Sequence, residues 1–400
     1  MIPKGNSRAN HAPRPIRMAT ISLQICAGLL CAATIWAQVA PPSESLRRAR
    51  DLVIAGKPEQ AAIIYQDLVK TFPNNPDLRL DLCVAQYKAR QYRDSAKQAE
   101  AALKLRPDLP AANLFLGASY LQLGEFAAAI PPLQKVLEQQ PTERNALLAL
   151  AEALSGARRY EQAADEFQRL SEIVPDNPKV WYGLGQCYDK LSEKEPDRGE
   201  HYRELAQQAY NRLEQLPPSP ESYIHAAELR DKSSEWVEAA KVWRKAVALA
   251  PHDNRARAGL TWALFRARDY KSVLEVIESM REDGADSAVL NFLSGGCWLN
   301  MEQPEKSIPY LEKAIAADSN FLPAQAALGQ ALLRTGKARE AIPHLQAALS
   351  VDEDGTIHFQ LYRAYTVAGQ AEAAKQALSN YEEFKKQLPH ASAVTGNAYR

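Results

Sequence analysis

The chain has 400 residues, 46% apolar and 24% charged, a balance that fits packed globular structure and excludes a disordered or collagen-like polymer. Its 48 basic residues match its 48 acidic ones. Four of the bases (Lys4, Arg8, Arg14 and Arg17) precede the first acid, so the remainder is mildly acidic. It has no concentrated basic face of the kind that displaces counterions from a phosphate backbone, and no nucleic-acid partner is expected.

Residues 1–18 are basic, and Ala19 to Ala37 reads ATISLQICAGLLCAATIWA without a charge. This basic, then apolar, then small-residue order is that of a secretory signal, with cleavage after Ala37 or Ala40. An uncleaved N-terminal membrane anchor over residues 1–37 is the runner-up, because the apolar run is about long enough to span a bilayer. Both readings place the rest of the chain outside the cytoplasm, periplasmic or secreted.

From residue 42 onward the chain repeats itself. Pro73, Pro107, Pro141 and Pro175 follow one another at steps of 34. Ala61, Ser95, Ala129 and Ala163 keep the same step, as do Ser307 and Ala341. Gly56, Gly124 and Gly336 share a third slot with Arg90, Arg158 and Arg268. Units begin near 42, 76, 110, 144, 178, 220, 254, 288, 322 and 355, which fills 42–388 with ten copies. One copy carries an insertion near 189–200, read as a longer, solvated turn, and a copy near the end is one residue short. The copy starting near 254 fits worst, with Val273 in the alanine slot and Ala285 in the proline slot. Pro131, Pro309 and Pro343 recur early in the second half of their units, where each removes at most one helical hydrogen bond. Residues 389–400 are small and polar and are expected to be a disordered tail.

A 34-residue period with these features resembles the tetratricopeptide repeat family, here of the exported bacterial kind. The fullest match is Trp181-Tyr182-Gly183-Leu184-Gly185-Gln186-Cys187-Tyr188, which satisfies the family's W-x2-L-G-x2-Y opening. The resemblance implies an all-α fold: a right-handed α-α superhelix, or solenoid, of about ten helix-turn-helix repeats. Small residues such as Gly117, Gly185, Gly295, Gly329 and Ala129 would mark where the two helices of a pair approach most closely. Gly56, Gly124 and Gly336 would sit in the interhelical turn.

The resemblance also implies a function. In that family ligands, usually extended peptides or single helices, lie on a concave wall built from the first helix of each pair, with slots 2, 5, 9, 12 and 13 of each unit facing inward. No unit pairs Lys at slot 5 with Asn at slot 9, so the clamp that grips chaperone C-termini is not expected. The candidate partner-binding residues are Arg255, Trp262, Phe265 and Arg266 in one unit, Phe292 in the next, and Tyr182 at an inward slot nearby. Trp and Arg are the types that most often carry interface energy, but the first reading of Trp262 and Phe265 is that they pack between units.

No HExxH, GxSxG, P-loop or GxGxxG signature occurs. Cys83, Cys187 and Cys297 lie far apart and without a nearby histidine, and read as small buried residues rather than metal ligands or a disulfide framework. The chain is therefore expected to be no enzyme, to use no cofactor or metal, and to act as a protein- or peptide-binding scaffold or adaptor in envelope assembly, secretion or export. The alternative is a membrane-anchored accessory subunit of an envelope enzyme or transporter.

Overall fold

The structure, a computed structural model, describes residues 43–387, so the expected leader and tail lie outside the described residues. Among the described residues there are twenty α-helices, two short 3-10 turns and no strand. Contacts gather the chain into two compact units, one ending at Ile173 and one starting at Val174.

The first unit holds four helix pairs: α1 (Ser43–Ile54) and α2 (Pro58–Thr71), α3 (Pro76–Lys88) and α4 (Tyr92–Leu105), α5 (Pro110–Gln122) and α6 (Phe126–Gln139), α7 (Arg144–Gly156) and α8 (Tyr160–Ile173). The second holds six: α9 (Pro178–Lys194) and α10 (Gly199–Glu214), α11 (Pro220–Lys232) and α12 (Trp236–Leu249), α13 (Asn254–Arg266) and α14 (Tyr270–Glu282), α15 (Ala288–Asn300) and α16 (Pro304–Ala317), α17 (Leu322–Arg334) and α18 (Ala338–Ala347), α19 (Thr356–Val367) and α20 (Ala371–Gln387). Each first helix begins within one residue of the start that the repeat predicts.

The pairs are punctuated from both sides. Pro73, Pro107, Pro141, Pro175 and Pro251 each follow the end of a second helix by two residues. Pro76, Pro110, Pro178 and Pro220 open first helices, where the missing N–H would have no intrahelical partner. Side chains cap several of these starts. Asn75 accepts from the amides of Asp77 and Leu78, and Ser219 forms a reciprocal box with Ser222.

The interhelical turn is the most regular feature. In nine of the ten pairs the residue two beyond the first helix has positive φ: Gly56, Arg90, Gly124, Arg158, Ser234, Arg268, Glu302, Gly336 and Gly369. The amide after it closes on a carbonyl five residues back, as in Lys57 N–H to the Leu52 carbonyl and Gln303 N–H to Trp298. This Schellman closure satisfies carbonyls that the helix end leaves open. The tenth pair, α9 and α10, departs from the expected solvated loop. The insertion lengthens the helices instead, to 17 and 16 residues, with only Pro196–Arg198 in a 3-10 turn between them. Tyr202 holds that end, with its ring under Arg198 and its hydroxyl donating to Glu195 at 3.4 Å.

Close packing within a pair is set by the small slot of the first helix. A Cβ on Gly117 would stand 2.4 Å from Leu133 Cγ, and one on Gly295 or Gly329 would stand 2.6 Å from Leu311 or Leu345. Those leucines are fully buried and have nowhere to move. Between pairs the large residues fill in: Trp243 on α12 lies where a Cβ on Gly259 of α13 would fall, and Tyr65 and Phe167 are buried likewise. Pro131, Pro309 and Pro343 lie inside α6, α16 and α18 without ending them.

The poor fit of the copy at 254 has a structural counterpart. Arg257, in the slot that holds Leu147, Trp181 and Tyr223 in three other units, is buried and donates to Asp283 at 2.7 Å. Arg281 reaches into α15, donating to Asn291 and Ser294 at 3.1 Å each. Helix α14 itself buries only Val273, Ile277 and Met280. A seam that other pairs make from aliphatic side chains is here made partly from polar ones.

At the C-terminal end α20 is a cap, as its charged face suggests. Lys385, Tyr381 and Phe384 cover Gly355, and the Phe384 ring stacks on His358 at 4.5 Å.

Two stability predictions follow from these contacts. Gly295→Ala should lower the unfolding free energy by about 1–3 kcal/mol through overpacking against Leu311. Gly296→Ala, whose new carbon would meet Phe265 at an ordinary 3.5 Å, should be neutral or stabilise by up to about 1 kcal/mol; urea denaturation of the two variants side by side checks the contrast. Replacing Arg158 or Glu302 by glycine should raise the unfolding free energy, each by roughly 0.5–1 kcal/mol and read as a higher denaturation midpoint, because the left-handed backbone is strained for both.

Candidate protein-binding wall

Within each unit the first helices of successive pairs touch one another: α3 with α5, α5 with α7, α9 with α11, α11 with α13, α15 with α17, and α17 with α19. They therefore form walls of side-by-side first helices, α3 to α7 in the first unit and α9 to α13 and α15 to α19 in the second. In the second unit side chains of three successive first helices meet on the α9-to-α13 wall. Tyr182 on α9 donates its hydroxyl to Glu228 on α11 at 2.9 Å. Gln186 on α9 donates to the other oxygen of Glu228 at 3.1 Å. Arg255 on α13 pairs with Glu228 at 3.4 Å, donates to Gln186 at 3.3 Å, and lies 4.7 Å above the Tyr182 ring. Flat neighbouring helices lie about 8–10 Å apart, so a direct bond from α9 to α13 across α11 requires the wall to curve toward this face.

The network extends behind the wall. Tyr210 donates to Asp189 at 2.8 Å, and the His225 ring stacks on Tyr210 at 3.8 Å. Burial pushes the Glu228 carboxyl above its ordinary range, against the pull of Arg255 and the Tyr182 hydroxyl. Burial also raises both tyrosines, so they remain neutral donors. His225 is lowered by the same cause and stays neutral near pH 7.

The six candidate residues separate. Tyr182 and Arg255 share the network just described, with Tyr182 only 5% exposed beneath the guanidinium. Trp262 faces solvent at 38% exposure, with its ring edge toward Phe265. Phe265 is half-buried, packing on Tyr270 of its own pair and standing 3.5 Å from where a Cβ on Gly296 of α15 would fall, so it serves packing within and between pairs. Arg266 turns away from Trp262 to lie 5.4 Å over the Trp236 ring at the turn edge. Phe292 is 4% exposed and packs on Phe321, which makes it a core residue. Gln186 and Glu228 were not singled out from the sequence, although their shared ninth slot marks them as inward-facing.

The first unit has a wall of different character. Its fifth slots are leucines, Leu46, Leu80, Leu114 and Leu148, all half-buried. Burial raises the Tyr87 hydroxyl on α3 above its ordinary value, with smaller contributions from Tyr92 and from Glu152 on α7.

Among the described residues no group of three His, Cys, Asp or Glu could hold a metal ion. Cys83, Cys187 and Cys297 are free and buried, and burial pushes the Cys83 and Cys297 thiols up to about 11 and about 12, away from the reactive thiolate. No helix among the described residues is long and apolar enough to cross a membrane.

Paired helices at a 34-residue step, closed by the same turn and stacked through their first helices, define a helical-repeat protein. Three models of the tetratricopeptide repeat family match, over residues 80–144, 120–187 and 193–352, and the chain belongs to that family. It is similar to the TPR repeat-containing protein YpiA of Bacillus subtilis, at 22% identity over 333 residues, 75% of this chain and 78% of that protein. A stretch of 103 residues is 31% identical to the Hsp70-Hsp90 organizing protein of Triticum aestivum, covering 26% of this chain and 18% of that one. Among solved structures, the APC/C hetero-tetramer Cut9-Hcn1 superposes with a TM-score of 0.51 at 16% identity, over 80% of this chain and 59% of that chain, a likeness of fold.

Glu228 gives the wall a pH signature. Its folded pKa is raised, so ionising it opposes folding; its favourable contribution is complete below the unfolded value and is lost as pH rises through the raised one. The stability difference between wild type and Glu228→Gln should therefore move in favour of the wild type as pH falls from neutral toward 4.5, read from denaturation midpoints across that range.

Proposed function

We propose that this protein is a scaffold or adaptor that holds protein or peptide partners on its first-helix walls, and that it does so outside the cytoplasm, in the cell envelope. The observation that carries the binding reading is Trp262. It is a large aromatic side chain left 38% exposed on an inward slot, beside a wall whose polar groups are otherwise bonded to each other. Indole rings in such positions are the side chains that most often dominate interface energy. The family's members bind proteins and peptides, and the absence of reactive sequence signatures agrees with a role without catalysis. The location rests on the basic-then-apolar order of residues 1–37.

Crosslinking capture from the native envelope tests both halves. Intact protein and Trp262→Ala, first matched for helicity, should differ: the variant is expected to lose its partner by about tenfold or more, the scale of a truncated interface anchor. Equal capture by both would remove Trp262 from the site, and no capture at all would remove the adaptor role. Recovery of the chain in the cytoplasmic fraction would overturn the envelope location.

A further inference from the structure

We infer that the joint between the pair α9–α10 and the pair α11–α12 is a proton-operated hinge: the stacked rings of Tyr210 and His225 hold it shut while His225 is neutral, and it opens behind the wall when that ring gains a proton. The inference does not depend on the binding reading above.

The joint is built unlike its neighbours. Elsewhere in residues 174–387 each second helix packs along the next first helix, α12 on α13, α14 on α15, α16 on α17 and α18 on α19. Among the described residues α10 and α11 do not make this packing. Leu229 marks the gap. It is 46% exposed, at the slot where Cys187, Ala263, Cys297, Ala331 and Ala364 are all buried. Side chains bridge what the two backbones leave open. Tyr210 is held by its own pair: its ring lies where a Cβ on Gly185 would fall, its hydroxyl donates to Asp189, and Gln186 donates to that hydroxyl at 3.4 Å. His225 comes from the other pair. It is 8% exposed and lies on the Tyr210 ring, with centroids 3.8 Å apart and planes 15° from parallel.

An imidazole is the side chain whose charge changes in the ordinary pH range, and its surroundings set the cost of that change. Glu214 on α10 and Asp189 on α9 favour the imidazolium, and Lys232 on its own helix opposes it. Burial opposes it more strongly than any of these, so the balance lies below the ordinary value of 6.5. Parting the two pairs would return the ring to water and remove that penalty. The closed joint is therefore at full strength above 6.5 and weakens as pH falls below it, by up to about tenfold per pH unit for one proton.

Glu228, three residues on, titrates with the opposite sign, because burial raises its carboxyl. It ties α11 to Tyr182 and Gln186 of α9 on the wall face. The pairs can then part only behind the wall, with that face as the pivot. Opening there would bend the wall further while the bonds across it stay made.

NMR of the full chain with isotope-labelled histidine tests this, His225 being assigned by its absence from His225→Phe. The His225 ring protons should be shifted upfield by the Tyr210 ring current at neutral pH and should titrate below 6.5. That ring-current shift should fade in step with protonation. Backbone amides of residues 211–224 should then exchange with solvent faster, relative to their intrinsic rates, by about tenfold between about pH 7 and about pH 5, while those of α16 keep their protection. His225→Phe, which keeps a ring without a titrating nitrogen, and His225→Gln, each first matched to wild type in helicity, should show no such acid response. Glu228→Gln should keep it. A titration at or above 6.5 would overturn the inference, as would a ring-current shift that survives protonation, because Tyr210 would then be holding the imidazolium on its ring face. An equal acid response in both His225 variants, or its loss in Glu228→Gln, would overturn it too, the latter by handing the switch to the carboxyl.

Discussion

The left-handed residue in the interhelical turn fixes the geometry from which the rest follows. Its positive φ reverses the chain in three residues, so the second helix of a pair must return alongside the first. Two helices held that close need a place for their backbones to meet, and Gly117, Gly295 and Gly329 provide it under Leu133, Leu311 and Leu345. The requirement is conformational before it is chemical, which is why Arg, Ser and Glu occupy the slot in five of the nine pairs at some cost in strain. Where the same turn recurs, it returns each second helix alongside its first and lets first helices stack on first helices, as α3, α5 and α7 do.

Much of this was legible in the sequence because the constraints are local and periodic. The proline and small-residue steps located every first helix to within a residue, and Gly56, Gly124 and Gly336 marked the turn. Arg90, Arg158 and Arg268 in the same slot were visible as substitutions, but their left-handed conformation is imposed by the pair around them. The insertion after Tyr188 was misjudged for a related reason. Its charges and Pro196 look like a loop, yet six residues from Asp189 to Lys194 continue α9, since extending an existing helix needs no new nucleus and Tyr202 can stack at the far end.

The site was less legible, because the repeat says which slots face inward but not what each side chain meets there. Arg266 occupies an inward slot and still lies on Trp236, drawn by an aromatic face at the turn edge. Phe292 occupies another and is covered by Phe321, a residue beyond the end of its own pair. Glu228 is one of several acids in the sequence, and its role depends on Tyr182 and Arg255, 46 and 27 residues away along the chain. Only contacts across pairs could have found it.

The two walls also differ in how firmly they are committed. Burying the Glu228 carboxylate is unfavourable unless its oxygens are bonded, and here Tyr182, Gln186 and Arg255 bond them with one another's help. Removing any one of the three would leave a half-satisfied group in a half-buried place, so the network holds α9, α11 and α13 in one arrangement. The leucine wall of residues 43–173 carries Leu46, Leu80, Leu114 and Leu148 at its fifth slots, and the Arg50–Asp81 pair at 3.6 Å lies across its first two first helices. A polar wall tied by its own bonds and an apolar one of leucines are physically different surfaces, and the difference arises from what the second, fifth and ninth slots carry on the same repeated backbone.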